Sequence, residues 1–182
     1  MRTKKGDLLI SNPRTIESIF FKSVILITQY NSNESIGFII NKKSKISLNN
    51  ILDDFDITDI PLYIGGPVAK NTLHFIHTLG SIIPGSTEII DNLYWGGDFE
   101  LIKKLLNKNK ISRDEIRFFI GYSGWGKNQL RDEINKKEWY IVNGNKDILN
   151  NYSSEDLWSK IIKQLPEEYA VWANLPKDPE LN

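Results

Sequence analysis

The apolar positions of this chain fall mostly in short, dense runs separated by polar or glycine-bearing turns, the pattern of strands rather than of long helical stripes. GDLLIS (6–11), SVILITQY (23–30) and SIGFIIN (35–41) come first. SVILITQY is β-branched and apolar almost throughout, which predicts a buried strand, and the polar NSNE after it predicts a hairpin into SIGFIIN. PLYIGGP (61–67), TLHFIHT (72–78), TEIIDNLYW (87–95), EIRFFIGY (115–122) and EWYIVN (138–143) complete the predicted strands.

Helical periodicity is rarer. SLNNILDDF (47–55) predicts a short helix. DFELIKKLLNK (98–108) places Phe99, Ile102, Leu105 and Leu106 on one face, with Asp98 and Glu100 suited to the positive end of the helix dipole. NQLRDEINKK (128–137) offers Leu130 and Ile134 four apart, and SSEDLWSKIIKQL (153–165) carries a Ser153/Asp156 near capping box, an apolar stripe and a stop at Pro166. Early strands follow one another without helical crossovers. This predicts an α+β fold, one domain over residues 1–182, with a mixed, largely antiparallel sheet. The segment 166–182 keeps Tyr169, Val171, Trp172 and Leu175, so it is predicted to pack on the domain.

Composition narrows the functional classes. Lys+Arg and Asp+Glu number 23 each, so the chain has no overall electrostatic footprint for nucleic acid or an anionic membrane. The absence of cysteine excludes disulfides, thiolate nucleophiles and cysteine-ligated metals. The start MRTKKGDLLISNP has no apolar core of a secretory signal, and no apolar run approaches the ~20 residues that span a bilayer. The expected compartment is the cytoplasm, with no membrane contact, no metal and no cofactor.

Four local patterns invite chemistry. In GYSGWGKNQL (121–130), Gly121, Gly126 and Lys127 approach the phosphate-loop spacing, but Asn128 stands where Ser or Thr would bind magnesium. His74 and His77 read H-x-x-H, which on a strand sends the two rings to opposite faces. One is therefore expected to be buried and hydrogen-bonded, the other exposed. Ser123 lacks a nucleophile-elbow context, since both histidines precede it. Asp53, Asp54, Asp56 and Asp59 lack the glycine and glutamate of a calcium loop and read as a helix end and surface turn.

Taken together, GDLLISNP with FFKSVILITQY, IGFIIN ending in Asn41, LYIGGPV with Gly65, Gly66 and Pro67, His77 closing a strand, LYWGGDFE with Gly96, Gly97 and Asp98, and GYSGWGKNQL followed by RDEI and Trp139 resemble the YqgE/AlgH family of bacterial proteins. The pattern differs at Lys42-Lys43, where the family often has Arg-Pro, and at Lys127-Asn128, where it often has Pro-Gly. The resemblance implies that the glycines serve turns and packing, with Trp125 as an anchor. It implies a mixed sheet with barrel-like closure flanked by helices, and it carries the label of transcriptional regulator. The expected function is a binding or regulatory module for a protein or small-molecule partner. Its surface would use Asn41, Gly65–Pro67, His77, Gly96, Gly97, Asp98, Gly121, Gly124, Trp125, Gly126 and Gln129. An enzyme working through His77, Asp98 or Gln129 in a pocket among those loops is the alternative. Direct specific DNA binding is not expected, because the lysines are spread over several elements.

Overall fold

The predicted strands assemble into one ten-stranded sheet in the computed structural model of the chain, which describes residues 3–14, 18–53, 55–145, 156–166, 169 and 172. Leu8–Ser11 (β1), Val24–Tyr30 (β2) and Ser35–Ile39 (β3) run antiparallel in sequence order, and Trp139–Val142 (β10) flanks β1. The NSNE hairpin is present: Asn31 Oδ1 accepts from the amides of Asn33 and Glu34, the self-capping that favours Asn in turns. Beyond β3 lies Ile116–Trp125 (β9), followed by Val68–His77 (β6), Leu93–Trp95 (β8) and Thr87–Ile90 (β7). Pro61–Ile64 (β5) lies parallel to β9, and Lys43–Ser47 (β4) pairs with β5.

Three cores form where helices cover this sheet. Phe99–Asn107 (α1) buries Ile102 and Leu106 against Leu62, Phe75 and Phe118. Gln129–Asn135 (α2) buries Leu130 beside Leu9, Ile25, Ile39, Trp125 and Trp139. Leu157–Ile162 (α3) buries Leu157, Trp158, Ile161 and Ile162 against Leu8, Ile10, Leu26, Phe38 and Phe119. Each Leu or Ile so buried contributes ~1.5–3 kcal/mol, and the amphipathic spacing of α1 and α3 places them all on one face. Tyr169 and Trp172 add to the third core, their rings 4.5 Å and 5.7 Å from that of Tyr140. The Ser153 cap and the other tail positions after Pro166 lie outside the described residues.

The structure corrects four expectations. The sheet is open: β10 and β7 are its two ends and, among the described residues, do not pair with each other, so barrel-like closure is not formed. β7 does approach the β1 side, where Lys5 Nζ donates to Glu88 O at 2.6 Å, but no ladder joins them. The helix expected at 47–55 is a single 3₁₀ turn, Leu48–Asn50. Its asparagines compete with helical bonding: Asn50 Oδ1 accepts from the Ser47 amide, and Asn49 spans Ile57 O and the Ile60 amide. TEIIDNLYW is two strands, because Asp91 and Asn92 adopt φ of 43° and 66° and close a tight hairpin turn. Lys43–Ser47 is an additional edge strand whose exposed lysines hid it from an apolar pattern and suit it to an unpaired edge.

Candidate functional site

β9 pairs with β6 along one edge and is shared between two partners along the other. Its first half pairs with β5 through Phe118–Ile120, and its last three residues pair with β3 through Ser123–Trp125. Gly121, at φ +65°, bends the strand between them. Gly65 sits in the fork: its amide donates to Ile120 O, and its carbonyl accepts from the Ile39 amide and from Ser123 Oγ at 3.0 Å. A Cβ on Gly65 would stand 2.3 Å from Gly121 O, and one on Gly66 2.3 Å from Tyr122 O. These glycines permit backbone to pass against backbone, and the Ser123 hydroxyl is spent holding the junction. Pro67 follows, exposed, at the turn into β6.

A second group gathers around His77, which is fully buried at the end of β6. Its Nδ1 accepts from the Leu79 amide at 3.2 Å, which requires the proton on Nε2. Nε2 lies 3.0 Å from both Gly96 O and Ser86 Oγ, and the ring stacks on Tyr94 at 5.7 Å. Burial pushes the pKa of His77 down, the Gly96 carbonyl opposing it in part, so the ring is neutral and both nitrogens are occupied. Gly97, beside it, has φ +109° and leaves no room for a Cβ, 2.5 Å from Ser86 Oγ. Asp98 is the N-cap of α1, accepting from the Leu101 amide at 2.9 Å. Asn41 extends the β2–β3 ladder by its side chain, accepting from the Val24 amide and donating to Lys22 O, both at 2.8 Å.

The third group is built on α2. Trp125 and Trp139 are buried, edge to face at 6.0 Å, and both indole N–H groups donate to Glu133 Oε2 at 2.8 Å. Gln129 Nε2 donates to Glu133 Oε1 at 2.9 Å, while Gln129 Oε1 accepts from the Gly126 amide at 3.0 Å. The amide that a phosphate loop would offer to a ligand is thereby spent within the chain, and Lys127 is exposed.

The sequence-selected positions therefore do not converge on one pocket. They form three separate knots, around Gly65, His77 and Glu133, with Asn41 apart from them, and Asn41, His77, Asp98, Ser123 and Gln129 satisfy backbone or neighbouring side chains. Gly124, Trp125 and Gly126 do line open clefts, at the rim where the β2–β3 hairpin meets the end of β9. One cleft of about 310 Å³ is lined by Tyr30, Asn31, Ser35, Gly126, Asn128 and Arg131 among others. Another of about 350 Å³ is lined by Asn33, Glu34, Ile36, Val68, Tyr122 and Gly124 among others. Tyr122 lay within the glycine stretch without being singled out, and the hairpin tip carried no chemical signal in the sequence.

Charged groups sit elsewhere on the sheet. Arg117 stacks its guanidinium 4.4 Å above the Tyr63 ring and donates to Ile40 O at 2.9 Å. Burial lowers its pKa, Tyr63 opposing that in part, and it lines a cleft of about 220 Å³ with Arg113, Asp59 and Asp114. Lys42 Nζ donates to Ile19 O at 2.7 Å, and burial pushes its pKa down to about 8. His74 is half-buried rather than exposed, its pKa lowered by burial, on the face of β6 opposite His77. Among the described residues no cluster of three or more His, Asp or Glu is placed to hold a metal, and no helix is long and apolar enough to cross a membrane.

Residues 8–170 match a family model described as AlgH-like. A UPF0301 protein of Chlorobium phaeobacteroides is 38% identical over all of this chain and 97% of its own length. A UPF0301 protein of Parabacteroides distasonis is 38% identical, over 98% of this chain and 91% of its own. Two solved structures share the fold. A crystal structure of a protein from Corynebacterium diphtheriae gives a TM-score of 0.75 at 21% identity, covering 96% of this chain and 94% of that one. The solution structure of the AlgH protein from Pseudomonas aeruginosa gives 0.74 at 19% identity, covering 97% and 98%.

Proposed function

The chain belongs to the AlgH-like family, and from that premise we propose that it is a non-catalytic binding module whose ligand seats on the rim formed by the β2–β3 hairpin, the end of β9 and the start of α2. One observation carries this reading. The polar groups that could have run a reaction among the glycine loops are consumed by the fold itself, whereas the rim presents two adjoining clefts, with Tyr30, Val68 and Gly124 open to solvent. An exposed mix of aromatic, aliphatic and amide groups around a concave surface suits recognition. A regulatory role would then act through the bound ligand, not through a basic face reading duplex DNA, because acidic and basic residues balance.

Amide-resolved NMR with a mixture of small fragments tests the proposal. Shifts are expected at residues 30–36, 68 and 122–131. Rim substitutions such as Val68→Asp should reduce binding while leaving unfolding free energy within ~0.5 kcal/mol. Fragment shifts centred instead on the His77–Asp98 region would move the site and reopen the catalytic alternative.

A further inference from the structure

The two rim clefts carry opposite charges. Among the described residues, Arg131 is the one charged side chain lining the cleft of about 310 Å³, beside the hydroxyl of Tyr30 and the amides of Asn31 and Asn128. Glu34 is the one charged side chain lining the cleft of about 350 Å³, where Ile36, Val68 and Tyr122 supply an apolar wall. Both charges are steadied from within the chain. Gln29 Nε2 donates to Glu34 Oε1 at 2.6 Å. Arg131 Nε and Nη2 donate to Asp132 Oδ1 at 3.2 Å. A guanidinium has five N–H donors, so Arg131 can serve a ligand carboxylate as well.

The clefts share Ser35 and Gly126 as a common border. Gly126 is a glycine that the fold does not demand. Among the described residues, a Cβ there would meet only Gln129 Oε1, at 3.9 Å, an ordinary contact, and its φ lies outside the left-handed region. Gly65 and Gly121, by contrast, are closed in by backbone. The bare backbone at Gly126 keeps the border low at the place where a ligand would pass from one cleft to the other.

We propose that the two clefts form one site for a short zwitterionic peptide, which crosses Gly126 with its terminal carboxylate on Arg131 and its terminal ammonium on Glu34. An apolar first side chain packs against Ile36 and Val68. The proposal rests on the reading of the rim as a binding surface and names the class of ligand that the surface selects. Opposite charges at the two ends reward a molecule that carries both, and they fix its direction.

Leu-Gly-Gly is the probe, since three extended residues reach ~10–11 Å. Titrated into the full chain, it is expected to shift the amides of residues 30–36 and 122–131, in both clefts together. N-acetyl-Leu-Gly-Gly and Leu-Gly-Gly amide should each bind about fivefold more weakly, the scale of one exposed charge pair. Glu34→Gln should remove the discrimination against the acetylated peptide and keep that against the amide; Arg131→Gln should do the reverse. A merely structural effect of either substitution would not produce that crossed pattern. Gly126→Leu should unfold at a midpoint no lower than the natural chain's and yet lose the peptide. Blocked peptides that bind as well as Leu-Gly-Gly overturn the proposal on the natural chain alone, whether or not a variant folds, and shifts still centred on the rim would then leave the rim reading standing. Discrimination that survives both charge substitutions, or binding that persists in folded Gly126→Leu, overturns it equally. Rim amides that ignore Leu-Gly-Gly but answer the fragment mixture refute the peptide and keep the rim; amides that ignore both refute the two readings together.

Discussion

Replacing Glu133 by alanine should destabilise the protein far more than a partly exposed helix glutamate ordinarily would. The carboxylate is the sole acceptor seen for two indole N–H groups, on Trp125 and Trp139, which are 5% and 4% exposed. Without it both indole donors lose their acceptor, and each buried N–H left unpaired costs ~1–3 kcal/mol. The third donor, the Gln129 amide, is exposed and turns to solvent at little cost. Alanine recovers a few tenths of a kcal/mol in helix propensity, ~0.2–0.4. The net expectation is a loss of ~2–5 kcal/mol. Urea unfolding followed by far-ultraviolet circular dichroism measures it without relying on indole fluorescence, which the substitution itself alters. Asp132→Ala, on the same helix but exposed and paired only with Arg131, is the control and should cost less than ~1 kcal/mol. In a Trp139→Phe background, which deletes one donor, the cost of Glu133→Ala should shrink by ~1–3 kcal/mol. A loss below ~1 kcal/mol in the natural background, or no shrinkage in the cycle, would refute the idea that the indole bonds hold α2 on the sheet.

Gly65→Ala drives a methyl to 2.3 Å from Gly121 O, where only backbone can yield, so a loss of ~2–4 kcal/mol is expected in denaturant unfolding; Gly96→Ala meets nothing within 4 Å and should cost only its positive-φ strain, ~1–2 kcal/mol. Both histidines have folded pKa values below the ordinary 6.5, so the unfolded chain binds more protons as pH falls; stability should be full above about pH 7 and decline below it, by no more than ~1.4 kcal/mol per pH unit per histidine, and His77→Gln should flatten part of that slope. Lys42, with its pKa near 8, should be the first described lysine labelled by an amine-selective reagent at pH 8, whereas labelling in proportion to exposure alone would contradict its lowered pKa. By the same linkage its unfolded form binds more protons between pH 8 and 10.5, so Lys42 makes stability rise across that window, and Lys42→Met should remove the rise.

Elements whose apolar pattern and local chemistry agree were legible in the sequence. The NSNE hairpin and α1 are of this kind: asparagine caps the first, and Asp98 caps the second exactly where the apolar face begins. What failed had local chemistry hidden behind the pattern. Asn49 and Asn50 turned a helical-looking stretch into a tied loop, and Asp91-Asn92 broke one apparent strand in two. Closure of the sheet was an expectation from family resemblance, and the pairing at β7 and β10 does not support it. The site was legible only in part. GYSGWG lies at the end of β9 that borders the proposed rim, but residue types alone could not say that Gln129, Ser123 and His77 would be spent internally. The role of Glu133 is not written in its own helix, because its two partners, Trp125 and Trp139, come from strands on either side of it in the chain.

The fork at Gly121 also sets a timetable for synthesis. Ser35 waits for Trp125, and Leu62 for Phe118, so both flanks of the sheet depend on a strand that leaves the ribosome after eight others. Until then β3 and β5 display unpaired amides and carbonyls over apolar faces, the kind of surface that chaperones hold and that aggregates when left alone. Nascent chains stopped before residue 116 should therefore resist folding, whereas chains extended past residue 125 can join both halves in one step, and the long loops to be closed mark that step as the slow one.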